Sequence, residues 1–147
     1  FSMTVRYRAW ISEADTMTND LKGIDFENET VVLKKYYWED GFPVEEEVFE
    51  VEIGNAILMQ STGLKDKNGK EIFEGDIVKT TRFFGRADEV GGFYEYDKEI
   101  IGVVKQLEGA WVIDTGSEAV NLWTEIEENE VIGNVYEQPE YLKKKGN

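Results

Sequence analysis

The sequence predicts an all-β fold of short antiparallel strands with little helix, and three observations carry that prediction. Apolar and polar residues alternate with a period of two in several runs, as where Phe49, Val51 and Ile53 interleave with Glu50 and Glu52. Other runs are dense in β-branched and aromatic residues, such as VVLKKYYW at 31–38. Turn dipeptides punctuate the runs, notably Asp40-Gly41, Asn68-Gly69 and Glu108-Gly109.

Taken in order, residues 5–11 alternate so that Val5, Tyr7, Ala9 and Ile11 face a core while Arg6, Arg8 and Trp10 face away. Residues 13–18 are polar and turn, and residues 20–28 fit neither period cleanly. A strand over 31–38 is closed by Asp40-Gly41-Phe42-Pro43, and a second follows over 44–53 until Gly54-Asn55. Residues 61–80 (STGLKDKNGKEIFEGDIVKT) read as a hairpin about Asn68-Gly69, a turn at Glu74-Gly75-Asp76 and a strand beginning at Ile77. That strand extends to 84, and the three glycines of 85–92 suggest a flexible connection or hairpin tip. Strands are expected over 93–97, 100–107, 110–115 and 119–123. Residues 124–130 (TEIEENE) are the best helical candidate, with Thr124 as cap and acids in the first turn. A last strand over 131–136 ends before Pro139.

The partition that follows is a tag remnant at 1–2, an N-terminal β portion at 3–60, a junction hairpin at 61–76, an SH3-like barrel portion at 77–142 and a frayed tail at 143–147. The SH3-like expectation rests on the order of the second half, two hairpins followed by a short helical turn and a closing strand.

Composition bounds the chemistry. At 147 residues, 41% hydrophobic and with 19 aromatic side chains, the chain is large enough to bury a real core. It has neither an apolar run long enough to span a bilayer as a helix nor a secretory leader. There is no cysteine, so disulfides and thiolate metal sites are excluded and a cytoplasmic location is expected. There is no histidine either, which rules out Ser-His-Asp, Cys-His and HExxH arrangements. Thirty-one acidic residues against 16 basic ones give a net charge of -15, which repels phosphate backbones over a Debye length of about 8 Å.

The central block carries a resemblance. The run Thr62-Gly63-Leu64-Lys65-Asp66-Lys67-Asn68-Gly69-Lys70-Glu71-Ile72-Phe73-Glu74-Gly75-Asp76-Ile77-Val78 is similar to the signature of the YopX family, small proteins of phages and prophages in Gram-positive bacteria. Arg6-Tyr7-Arg8-Ala9-Trp10 and Val131-Ile132-Gly133-Asn134-Val135-Tyr136-Glu137-Gln138-Pro139-Glu140 agree with it in family order. The resemblance implies a relative but no particular activity.

Each candidate site has a plainer alternative. Asp66-x-Asn68-Gly69 invites comparison with a calcium loop, but its glycine comes early and the twelfth position is Ile77, so a hairpin turn accounts for it better. Glu71, Glu74 and Asp76 are close enough for paired-carboxylate chemistry, yet 31 acids make such groupings common and turn capping suffices. Lys65, Lys67 and Lys70, with Arg82 and Arg86, are the candidate basic strip for nucleic-acid or partner contact, and Phe73, Phe83 and Phe84 beside them would suit base stacking. Arg6, Arg8 and Trp10 are read as structural partners of Glu50 and Glu52. The acidic run Glu45, Glu46, Glu47, Glu50 and Glu52 is read as an edge that resists sheet addition. The expected function is that of a phage or prophage accessory protein acting by protein binding and self-assembly as a homo-oligomer, without catalysis, cofactor, metal or membrane. The alternatives are a nucleic-acid-binding module using the hairpin lysines, and an acidic DNA mimic that blocks a host DNA-binding protein.

Overall fold

Alternation and turn chemistry resolve into twelve strands and two short 3-10 turns in a computed structural model, which describes residues 6–19, 21–87, 89–122 and 128–142 apart from the side chains of Lys35, Phe84 and Arg86. All strand pairings are antiparallel, and there is no α-helix among the described residues. The chain divides into two units, 1–60 and 61–147.

Unit 1 begins with β1 (Tyr7–Ile11), which pairs with β2 (Thr16–Thr18) on one side and with residues 56–60 of β6 (Ala56–Lys65) on the other. A separate sheet runs β3 (Leu21–Asp25), β4 (Thr30–Glu39), β5 (Phe42–Glu52). Between β4 and β5 the turn is only Asp40-Gly41, with φ of 50° and 82°, the doubly positive pattern that matches the twist of a tight hairpin. Ala9, Ile11, Val31, Leu33 and Ala56 form the core of this unit, with Leu21, Val51, Ile53 and Leu58 packed around them. Residues 16–18, expected to turn, and residues 21–25, which fit neither period, become strands because β1 and β4 supply partners for them.

β1 has no pairing with β5, which corrects one expectation: Glu50 and Glu52 stand opposite Val32 and Thr30 of β4. Arg8 is itself buried. β5 is the edge of its sheet, and its glutamates 45, 46, 47, 50 and 52 are exposed along it.

Unit 2 takes in the rest of β6, residues 61–65, which pairs irregularly with β7 (Glu71–Phe73) around Gly63 at φ 78°. The main sheet has the order β11 (Ala119–Asn121), β10 (Ala110–Asp114), β9 (Phe93–Leu107), β8 (Asp76–Ala87), β12 (Asn129–Asn134). This is a four-stranded meander, β8 to β11, with a fifth strand, β12, returning beside β8. Its core is Ile72, Val78, Ile100, Val104, Ile113 and Leu122, flanked by Leu64, Trp111, Val120 and Val131. Gly102 is required where β9 meets β10, since a Cβ there would lie 2.5 Å from the backbone oxygen of Asp114.

Several expectations change here. The strands expected at 93–97 and 100–107 are one 15-residue strand, and β8 continues to Ala87, into the stretch 85–92 expected to be a flexible connection or hairpin tip. The helical candidate at 124–130 lies outside the described residues except for its end, where Asn129 and Glu130 open β12. The tag remnant at 1–2 and the tail at 143–147 also lie outside them.

Candidate functional site

The loop between β6 and β7 is built on one carboxylate. Oδ1 of Asp66 accepts the backbone N–H groups of Asn68 and Lys70, each at 2.9 Å, and Oδ2 accepts that of Val131 at 2.9 Å. The backbone closes the same loop, with Asp66 N–H donating to the Lys70 carbonyl and Gly69 N–H to the Asp66 carbonyl. Of the Asn68-Gly69 pair only Gly69 has positive φ, 82°, so the connection is a five-residue loop capped by Asp66, not a two-residue hairpin. Burial works against the charged form of Asp66, but the N–H groups of Val131, Lys70 and Asn68 and the charge of Lys70 outweigh it and hold the carboxyl below its usual range. Donors thus converge where a calcium loop would present oxygen ligands. No group of three or more acidic side chains placed to hold a metal occurs among the described residues.

Two other acids of this block, Asp76 and Glu71, also bond to their neighbours. Buried Asp76 accepts the Phe73 N–H at 2.8 Å, and Glu71 accepts the hydroxyl of Ser61.

The five basic candidates do not form one strip. Lys65, Lys67 and Lys70 are exposed at the end of β6, on the loop and just before β7, with the Lys67 ammonium 3.4 Å from the Glu130 carboxylate. Arg82 is buried at 5% exposure: it donates from Nη1 to the Asn121 carbonyl (2.9 Å), from Nη2 to Oδ1 of Asn129 (3.2 Å) and from Nε to the Thr80 hydroxyl (3.3 Å). It ties β8 to the ends of β11 and β12 and presents no charge to a partner. The Arg86 side chain lies outside the described residues. The lysine that stands near Lys67 is Lys79, across a recess of about 100 Å³, and Lys79 faces Glu99 at 3.9 Å. Of the aromatics expected to stack on bases, Phe73 is buried and Phe83 is 61% exposed, while the Phe84 side chain lies outside the described residues.

The sequence leaves a larger feature unread. β12 pairs with β8 only up to Thr80, and β10 pairs with β9 only from Val103 onward. Residues 81–87 and 93–99 therefore pair only with each other among the described residues, as a two-stranded ribbon extending from the sheet. On it Phe83, Phe93 (68%), Tyr94 and Tyr96 are exposed. The Phe93 ring lies over Gly85, where a Cβ would come within 2.3 Å of Cζ, so the aromatic takes the place of the missing side chain. Tyr94 and Tyr96 share the other face with ring centroids 6.1 Å apart. Arg82, Arg86 and Lys98 match Glu95, Asp97 and Glu99 in number, so with Asp88 and Glu89 between the two segments residues 81–99 sum to -2 within a chain of -15. The signal in the sequence is this local near-balance together with the aromatic density of 83–96.

In unit 1, β4 and β5 also outrun their neighbour, because β3 ends opposite Leu33. Tyr36, Tyr37, Trp38 and Phe42 are exposed on that extension. The Tyr37 hydroxyl donates to Glu47 at 2.8 Å, and this bond, followed by burial and the charges of Glu47 and Glu45, raises the phenol above its usual range.

Comparison with known proteins places this geometry. The family model described as YopX protein matches residues 6–143. The crystal structure of protein EF1440 from Enterococcus faecalis is similar at a TM-score of 0.56 and 24% identity, covering 97% of this chain and 100% of that one, which supports the fold alone. No curated protein matches the chain. With the family model spanning all three sequence blocks, from the first strand past the last, the chain belongs to the YopX family.

Proposed function

We propose that this is a phage-type accessory protein that works by binding protein, in the first place a second copy of itself, with no catalytic step of its own. The β8–β9 ribbon carries the reading. A two-stranded ribbon is marginal in water, and one that displays four exposed aromatic side chains gains most by being covered. Half-covered aromatics of this kind offer about 100 Å² each, about 200 Å² on either face of the ribbon. That is about a quarter of what each partner buries in a standard interface, so the rings of one face supply its centre and the open strand edges and neighbouring surface the rest. Charge disfavours a like partner less here than over the chain as a whole: residues 81–99 carry a net of only -2, so two copies approaching through them avoid part of the repulsion between chains of -15.

Membership of the YopX family supports the phage-type assignment. The strand order β12-β8-β9-β10-β11 supports reading unit 2 as an SH3-like barrel used as a scaffold. A cysteine-free chain in which no described helix is long and apolar enough to cross a membrane suits a cytoplasmic role. Hydrogen exchange tests the reading: backbone amides of 81–87 and 93–99 gain protection as concentration rises and lose it on dilution. Exchange at those amides that is equally fast at every concentration refutes it.

A further inference from the structure

Unit 1 holds a cleft of about 630 Å³ that the self-association reading does not use. Its floor is Ile11 and Leu33, both buried core side chains, and its walls include Phe49, Tyr36 and Trp38. Tyr36 and Trp38 lie two residues apart on one strand, with ring centroids 6.4 Å apart and planes at 55°. Among the described residues lining the cleft Lys34 is the only charged one, and its ammonium lies 6.0 Å from the Tyr36 ring centroid. The volume and the lining, largely apolar with one placed charge, are those of a small-molecule site.

Lys34 is not locked away from a ligand. Its ammonium is 3.5 Å from the Glu46 carboxylate, but both side chains are well exposed, 32% and 45%, and a pair of that kind is readily displaced. Glu46 is not among the described residues lining the cleft, so a ligand there competes with Glu46 for Lys34 from the other side of the pair. In a chain of net charge -15, an anion held here needs a local cation and dry surface together.

We infer that this cleft binds a planar aromatic anion, its ring system against Tyr36 and Trp38 and its anionic group on Nζ of Lys34, the three side chains that β4 turns to one face. The probe is 8-anilino-1-naphthalenesulfonate, titrated into the full chain and followed by its fluorescence. One saturable site per chain is expected. Lys34→Gln and Trp38→Ala each weaken it by about tenfold, as expected for loss of one charged or stacked contact, and Lys34→Gln also removes most of its salt dependence. Both side chains are solvent-exposed in part, so circular dichroism unchanged from the parent checks that each variant is folded. The uncharged analogue N-phenyl-1-naphthylamine binds more weakly than the sulfonate, and Phe26→Ala, at an exposed aromatic outside the cleft, leaves the affinity unchanged. Equal affinity for the two probes, unchanged binding in Lys34→Gln and Trp38→Ala, or loss of the site in Phe26→Ala overturns the inference.

Discussion

Asp66→Asn is the substitution that most sharply tests the account of the central loop. The wild-type carboxylate accepts two backbone N–H groups on one oxygen and one on the other, from residues 68, 70 and 131. An amide has one oxygen to offer. Whichever way it turns, its NH₂ group faces at least one N–H donor, so a charge-assisted bond is lost and a partly buried donor is left unmet. That costs about 2–4 kcal/mol, a large share of the roughly 5–15 kcal/mol available to a folded chain. With an m-value of about 2 kcal/mol per molar urea, the unfolding midpoint of unit 2 falls by about 1–2 M. Trp111, packed against that unit's core, reports the transition by fluorescence. The sign of the pH dependence follows from the lowered pKa. The stabilisation is complete above the ordinary carboxylate value of 3.8 and is lost as pH falls through the still lower folded value. The difference between wild type and variant is therefore flat near neutrality and narrows only in acid, beyond the isoelectric region near 4.4 where solubility is poorest. An unchanged midpoint near neutral pH refutes the idea that Asp66 organises the loop.

Three further outcomes are expected. Gly133→Ala puts a Cβ 2.6 Å from Oε1 of Gln138, which must then release the Asn134 N–H it accepts at 3.0 Å; stability falls by about 1–3 kcal/mol. Adding Gln138→Ala recovers part of that loss, and the double-mutant cycle by urea unfolding checks it. Gly69→Val and Gly75→Val force branched side chains to φ of 82° and 87° and cost about 1 kcal/mol or more each, read as lower melting temperatures; unchanged melting in both contradicts the turn assignments. Arg82→Met leaves the Asn121 carbonyl and Asn129 Oδ1 without a buried donor and destabilises unit 2 by about 2–4 kcal/mol, whereas a surface arginine would change urea stability little.

What the sequence reveals and what it hides follow from the range of the interactions. Tight turns are local, and Asp40-Gly41 and Glu108-Gly109 both adopt the doubly positive φ that their dipeptides favour. The all-β class follows from period and turn chemistry alone. Arg82 misleads because its acceptors lie 39 and 47 residues away; the available hint is that it shares a strand face with Val78 and Thr80, both buried. Asp66 reads as a turn acid, and nothing near it foretells its bond to Val131, 65 residues on. β9 looks broken at Asp97-Lys98-Glu99 because a charged triplet resembles a loop. It is continuous because those residues lie on an open ribbon, where Lys98 meets Glu118 at 2.7 Å. Phe83 and Phe93 are apolar in any reading, and only the ends of β12 and β10 decide that no third strand among the described residues covers them.

The central claim, self-association through the β8–β9 ribbon, is tested most directly by the solution mass from light scattering of the wild-type chain and of Phe83→Ser with Tyr94→Ser. The wild type is expected at a multiple of 16.9 kDa that declines on dilution, and the double variant at 16.9 kDa while keeping its β-sheet circular dichroism. A wild-type mass of 16.9 kDa at every concentration, or a double variant that assembles as the wild type does, contradicts it.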